Sequence, residues 1–116
     1  MNRANPIHPL FENQVLANLL QEPVTYTTYK NIWKPDYFSG INHHSTIAHA
    51  FITIRAYGEH PTQEAMAHQL LKEYDENHLP QKVEDMIKEL DYLYSIPVNN
   101  NTYGIEEVAE WQSNVN

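Results

Sequence analysis

Three side chains spaced four residues apart form the clearest candidate for metal chemistry in the sequence. His60, Glu64 and His68 would face one side of a helix and offer two imidazole nitrogens and a carboxylate to a divalent ion. However, His60 precedes Pro61, and the residue before a proline is disfavoured in helical geometry. We therefore expect His60 in a connecting loop and the trio at the surface, and we predict no metal or other cofactor. A metal-binding helical enzyme is kept as an alternative.

Two further groups of polar side chains lack the spacing of a site. His43 and His44 are adjacent and His49 lies five residues beyond His44, so no pair has the spacing of helical neighbours. We expect helix-cap and surface histidines. The carboxylates of another segment fall opposite its apolar residues, which predicts a solvated helix face rather than an acid–base pair. These carboxylates are Glu84, Asp85, Glu89 and Asp91.

Aromatic side chains crowd the second quarter of the chain. Tyr26, Tyr29 and Trp33, together with Lys30 and Lys34, could bind single-stranded nucleic acid, which is a second alternative. The chain carries 7 Lys and Arg against 15 Asp and Glu, for a net charge of −8, whereas nucleic-acid affinity depends on cations that replace phosphate counterions. We therefore predict no direct DNA binding, and we expect the aromatics to build core or a protein interface.

The motifs of the common enzymes are missing from the sequence. There is no phosphate-binding glycine loop, no Gly-x-Ser-x-Gly and no His-Glu-x-x-His, and the chain has only 3 glycines. There is also no cysteine, which excludes a thiol nucleophile, a disulfide framework and a cysteine-based metal centre. We therefore predict no catalytic residues and a chain that is not itself an enzyme.

Apolar residues recur with a helical period along the chain, and no alternating pattern bounded by hairpin turns is present. Asn42 and Thr62 are candidate N-caps, Gly58 is a candidate left-handed stop, and Pro80 suits a first helical turn. The predicted helices cover Leu10 to Leu20, Thr25 to Trp33, Asn42 to the stop at Gly58, Thr62 to Asn77, Pro80 to the break at Pro97, and Tyr103 to Trp111. The expected fold is all-α, a compact orthogonal bundle of five or six short helices.

The chain has the size of one domain, with 116 residues and a mass of 13.6 kDa. We expect a flexible N-terminal arm over residues 1–9, a helical domain over 10–112 and a disordered tail over 113–116. The start lacks the basic and apolar regions of a signal peptide, and no window is apolar enough to span a membrane. The expected location is cytoplasmic, without membrane contact.

Four short segments follow one another in a characteristic order: Glu12-Asn13-Gln14-Val15-Leu16, then Asp36-Tyr37-Phe38 before a helix that begins near His43 or His44, then Gly58-Glu59-His60-Pro61-Thr62, and last Pro97 to Asn101 with Tyr103 and Val108. Their order and spacing resemble the N-terminal domain of DnaB-type replicative DNA helicases over about residues 8 to 112. The departures are Thr62 in place of an Asp after the Gly-x-Pro turn, no Gly-Gly before the fifth helix, and an opening Glu and Gln one residue closer together.

The resemblance implies a non-catalytic helical collar of a replicative helicase. Such a collar associates with copies of itself as a dimer or ring and docks primase or a helicase loader, while a separate RecA-like motor binds ATP. Because the chain ends where the family continues into a helical hairpin, we expect a fragment of a longer protein, with a phage or mobile-element relative as one source. A free-standing small helical adaptor is the alternative.

Self-association requires apolar side chains that remain after the core is packed. The candidates lie near the two ends of the helical pattern. They are Leu10, Phe11, Tyr92, Tyr94 and Trp111.

Overall fold

The structure is a computed structural model that describes residues 7–28, 33–74, 80–99 and 103–115. Within these ranges the regular elements are helices, and no strand is present. The helices are α1 (Pro9–Gln21), α2 (Pro23–Thr28), α3 (His44–Arg55), α4 (Gln63–Glu73), α5 (Pro80–Ser95) and α6 (Tyr103–Val115), with 3₁₀ turns at Pro35–Tyr37 and Ile41–His43. The prediction of an all-α bundle is confirmed.

Helix α1 lies at the centre of the bundle and contacts α2, α3, α5 and α6. Its buried face is the apolar stripe that the sequence predicts, formed by Val15, Leu16, Leu19 and Leu20. His8 caps its start, since the Nδ1 atom of His8 accepts a hydrogen bond from the amide of Leu10 at 3.1 Å. The core of the molecule is therefore organised around α1.

The segment between α2 and α3 folds back onto the core. Trp33, Tyr37 and Phe38 are buried, and Trp33, the predicted last residue of the second helix, lies outside a helix. Residues 29–32 lie outside the described residues. The chain then enters α3 through two residues with positive φ, Asn42 at 56° and His43 at 61°. Because of this turn, the N-cap of α3 is His43, and the prediction that Asn42 caps the helix is wrong.

Three local signals at the ends of α3 to α5 are confirmed. Gly58 has a φ of 93°, the left-handed conformation expected for a stop after α3. The Oγ1 atom of Thr62 accepts a hydrogen bond from the amide of Ala65 at 3.1 Å and so caps α4. Helix α5 begins at Pro80. Tyr57 follows the end of α3 at Arg55 and is 84% exposed.

The remaining helices complete one core. Helix α4 packs between α3 and α5, and α5 buries Val83, Met86, Leu90 and Leu93. Helix α6 packs against α1 at Gly104, where an added Cβ would lie 2.7 Å from the Cγ2 atom of Val15. The radius of gyration, 13.9 Å, is close to the ~13 Å expected for a compact domain of this length.

The described residues near both predicted ends of the domain are part of the packed structure. Ile7 is buried and α1 begins at Pro9, so packing starts within the stretch expected to be a flexible arm. The tail expected over 113–116 continues α6 to Val115. The helix end expected at Asn77 lies outside the described residues. No helix in the described part of the chain has the length and apolarity needed to cross a membrane.

Candidate functional site

Three ionisable side chains from three helices meet inside the bundle, and we call Glu12, His44 and Glu89 the buried cluster. The Nδ1 atom of His44 lies 2.5 Å from the Oε1 atom of Glu12, and its Nε2 atom lies 2.8 Å from the Oε2 atom of Glu89. Glu12 is 4% and His44 is 3% exposed. The backbone amide and the hydroxyl of Ser39 also donate to Glu12 Oε1, at 3.2 and 2.8 Å.

Helical periodicity explains how two of these residues become buried. Glu12 precedes Val15 and Leu16 by three and four positions, so it continues the apolar stripe of α1. His44 stands in the same relation to Ile47 and Ala48 on α3, both of which are buried. A polar residue on a buried stripe is the sequence signal from which this cluster could have been found, because a buried polar group needs a partner.

The hydrogen bonds of the buried cluster favour its charged form. Burial by itself raises the pKa of Glu12 and lowers the pKa of His44. The hydrogen bonds from His44 and Ser39 outweigh burial at Glu12, so the pKa of Glu12 is held below its ordinary 4.5. The bonds to Glu12 and Glu89 likewise hold the pKa of His44 above its ordinary 6.5. These hydrogen bonds therefore favour a protonated His44 ring beside an ionised Glu12.

This arrangement corrects two predictions from the sequence. His44 was expected to be a cap or surface histidine, but it is a buried partner of two carboxylates. Glu89 was expected on a solvated face, but its side chain is only 16% exposed. The predictions for His49 and Glu84 are confirmed, since both side chains are exposed.

Among the residues that the structure describes, Glu12 and His44 are closed off from solvent, and the buried cluster borders solvent near Glu89. A shallow groove on that side is lined by Asn42, His43, Asp85, Lys88 and Glu89. A substrate cannot reach Glu12 or His44 in this arrangement, because both side chains are sealed in the core. The cluster is thus suited to holding helices together rather than to turning over a substrate.

The candidate metal trio does not assemble. His60 lies in the loop before α4, as predicted, and its Nε2 atom donates to the carbonyl of Leu20 at 2.7 Å. Its ring also packs edge-on against Phe51. Glu64 and His68 are exposed on α4. Among the residues that the structure describes, no group of three or more His, Cys, Asp and Glu side chains is placed to hold a metal ion.

The aromatics considered for base stacking have protein partners. Tyr26 packs edge-on against Phe51, and the guanidinium of Arg55 lies 4.4 Å from the centre of the Tyr26 ring. Trp33 is buried and stacks on Phe38. Tyr29 and Lys30 lie outside the described residues. Base stacking on Tyr26 and Trp33 would require these contacts to break, which counts against the single-strand alternative.

The five predicted interaction residues divide into two groups. Leu10 is 80% and Tyr92 is 50% exposed. Phe11, Tyr94 and Trp111 are partly buried against the core, with Trp111 edge-on to Tyr37. Burial raises the pKa of Tyr94 to about 12. The available apolar surface of this set is therefore provided mainly by Leu10 and Tyr92, and its role in self-association stays a prediction.

Comparison of this chain with protein-family models, curated proteins and solved structures gives no match. The likeness to the helicase domain therefore depends on the segments of the sequence quoted above.

Proposed function

We propose that this chain is a non-catalytic interaction module, the N-terminal collar domain of a DnaB-type replicative helicase that self-associates and docks primase or a helicase loader. The observation that carries the proposal is the closure of the buried cluster. Glu12 and His44, whose side chains are suited to acid–base chemistry, are hydrogen-bonded to each other between helices and buried away from solvent. What the molecule offers to other molecules is its surface.

Contacts between segments that are distant in sequence support the helicase resemblance. These contacts involve three of the four segments that resemble the helicase domain: the opening segment, the segment at Asp36-Tyr37-Phe38 and the last segment. Glu12 of the opening segment bonds Ser39, next to Asp36-Tyr37-Phe38, and His44 at the start of α3. Gln14 of the same opening segment donates to the carbonyl of Pro97 at 3.0 Å, where the last segment begins. These residues thus act as scaffold contacts, as expected where a family is characterised by the order and spacing of its segments.

Exposed apolar side chains support an interaction surface. Besides Leu10 and Tyr92, several large apolar residues are exposed: Val24, Ile41, Tyr57, Leu71 and Val98. Single exposed apolar residues are common on monomers, so a surface for assembly is expected at those that become buried together. Leu10 and Tyr92 lie on α1 and α5, two helices that pack against each other.

Partner docking tests the proposal directly. Fluorescence-labelled primase and a labelled helicase loader, each from a bacterial replisome, are titrated with the intact chain and followed by anisotropy. We expect saturable binding of one of the two proteins, in the micromolar range typical of transient interfaces. Binding of a labelled single-stranded oligonucleotide, with no binding of either protein, would contradict the proposal and favour the nucleic-acid alternative.

A further inference from the structure

His44 can keep both of its carboxylate contacts only while its ring is protonated. A neutral imidazole carries one N–H group, whereas an imidazolium donates from both nitrogens. Since carboxylate oxygens lie 2.5 Å from Nδ1 and 2.8 Å from Nε2, the arrangement uses both donors. Loss of the proton leaves a nitrogen lone pair facing a carboxylate, and one of the two contacts must then open.

The two contacts differ in how firmly the carboxylate is held. Glu12 also accepts hydrogen bonds from the amide and the hydroxyl of Ser39, and its side chain is 5% exposed. Glu89 is 16% exposed and borders the groove, so its carboxylate has water available when it leaves the ring. On deprotonation, the remaining N–H group therefore stays with Glu12, and the contact with Glu89 opens.

A left-handed turn lies directly against this contact. Asn42 and His43 both have positive φ, a region that few residues other than glycine occupy, although asparagine and histidine enter it more often than most. The turn is held by the amide of His43, which donates to the carbonyl of Gly40, and by the amide of Ser45, which donates to the carbonyl of Ser39. His44, between these two amides, is its anchor to α1 and α5.

We propose that the buried cluster is a proton-dependent clasp, in which the His44 imidazolium ties α1, α3 and α5 together and loss of its proton releases Glu89 and the Ile41–His43 turn into the groove. The charged and titratable groups that face it are Glu12 from α1 and Glu89 from α5. Asp85, Lys88 and His43 line the outer side of the groove. The clasp operates whether or not the chain self-associates.

The direction of the pH effect follows from the raised pKa of His44. The open form keeps the hydrogen bond to Glu12 and loses the one to Glu89, so the pKa of His44 is lower in the open form than in the closed form. The closed form therefore has its full advantage below the pKa of the open form. Between the pKa of the open form and that of the closed form, the ratio of closed to open molecules falls by up to about tenfold per pH unit, and above the closed-form pKa the ratio levels off. The clasp therefore opens on the alkaline side.

Histidine-ring and amide NMR of the intact chain from pH 6 to 10 tests the clasp. We expect both ring nitrogens of His44 to be protonated at pH 7. We also expect the exchange-protection factors of the His43 and Ser45 amides to fall by about tenfold or more as His44 titrates, while those in the middle of α4 stay constant. A neutral His44 at pH 7, or protection factors that ignore its titration, would overturn the proposal.

Two glutamate variants on α5 sharpen the test. Glu89→Gln removes the carboxylate that faces Nε2, so the titration of His44 and the loss of protection should both move to lower pH. Glu84→Gln is the matched control, because that side chain is 60% exposed and pairs with Lys88 at 3.2 Å on the surface of α5. The clasp is wrong if both variants titrate like the wild type. If Glu89→Gln fails to fold, the wild-type titration decides by itself.

Discussion

At the scale of single residues, the stability of the buried cluster depends on complete partnership. Replacing a whole buried ion pair by apolar residues often leaves stability unchanged or raises it. Removing one member of the pair is destabilising, because it leaves an uncompensated charge in the core. His44 is the member that contacts both of the others. Its loss therefore removes two contacts at once.

We expect His44→Ala to lower the free energy of unfolding by about 3 kcal/mol, because Glu12 is left buried without its cation. Urea unfolding at pH 6 measures this difference. His49→Ala is the matched control on the same helix, since the side chain of His49 is 57% exposed, and it should change stability by less than about 0.5 kcal/mol. Equal effects of the two variants would contradict the role given to His44.

At acid pH, the free energy of unfolding is expected to depend on the ionisation of Glu12. Its pKa in the folded chain is lower than the ordinary 4.5, so its contribution is fully present above 4.5 and is lost as pH falls through the folded value. The free energy of unfolding of the wild type should therefore fall below pH 4.5. Glu12→Gln should flatten this acid decline; a decline of unchanged steepness in that variant would assign it to other carboxylates.

At the scale of helices and turns, the distance from each glycine to neighbouring side chains decides whether an alanine can replace it. A Cβ on Gly104 would lie 2.7 Å from the Cγ2 atom of Val15 and 3.0 Å from the Cβ atom of Phe11, so α6 would have to move away from α1. We expect Gly104→Ala to cost about 1–3 kcal/mol, as overpacking does elsewhere. Thermal unfolding gives the comparison with the control below.

Gly40→Ala is the control for this overpacking. Gly40 has a φ of −77°, and a Cβ there would meet no heavy atom within 4 Å. The substitution should leave stability unchanged or raise it by up to about 1 kcal/mol, because alanine restricts the unfolded chain. A Gly104→Ala variant as stable as Gly40→Ala would contradict the close packing of α1 and α6.

The N-cap of α4 gives a second prediction at this scale. Thr62→Ala removes the hydroxyl that accepts from the amide of Ala65 and should cost about 1 kcal/mol of unfolding free energy. Thr53→Ala is the control, since the hydroxyl of Thr53 donates to the carbonyl of His49 within α3, where alanine is the better helix former. Chemical denaturation measures the free energy of unfolding of both variants. Thr62→Ala should lower it more than Thr53→Ala, because only Thr62→Ala removes a helix cap.

Features that depend on neighbouring residues could be predicted from the sequence, whereas contacts between distant residues could not. Thr62, Gly58 and Pro80 act on the residues beside them, and each was placed correctly. The sequence predicts Asn42 as a cap because nothing in its immediate neighbours shows that two left-handed residues, Asn42 itself and His43, precede α3. The pairing of Glu12 with His44 joins positions 32 residues apart, and helical period shows that both are buried without showing that they meet.

At the scale of the whole molecule, the proposed self-association depends on apolar surface that the core does not use. Leu10→Ser and Tyr92→Ser, combined in one variant, should weaken self-association at least tenfold if each position contributes the >1 kcal/mol typical of a central interface residue. Leu71→Ser combined with Tyr57→Ser is the matched control, because it exchanges the same residue types at exposed positions outside the predicted set. Sedimentation velocity compares the two, and equal weakening would show that the contact face lies elsewhere.

Light scattering coupled to gel filtration, on the wild-type chain over a wide concentration series at pH 6.5, tests the central claim most directly. A collar domain predicts an apparent mass that rises with concentration from the 13.6 kDa of one chain to at least twice that value. The same series in the presence of a chelator should give the same masses. A mass that stays at 13.6 kDa at every concentration would contradict the self-associating collar and leave the free-standing adaptor in its place.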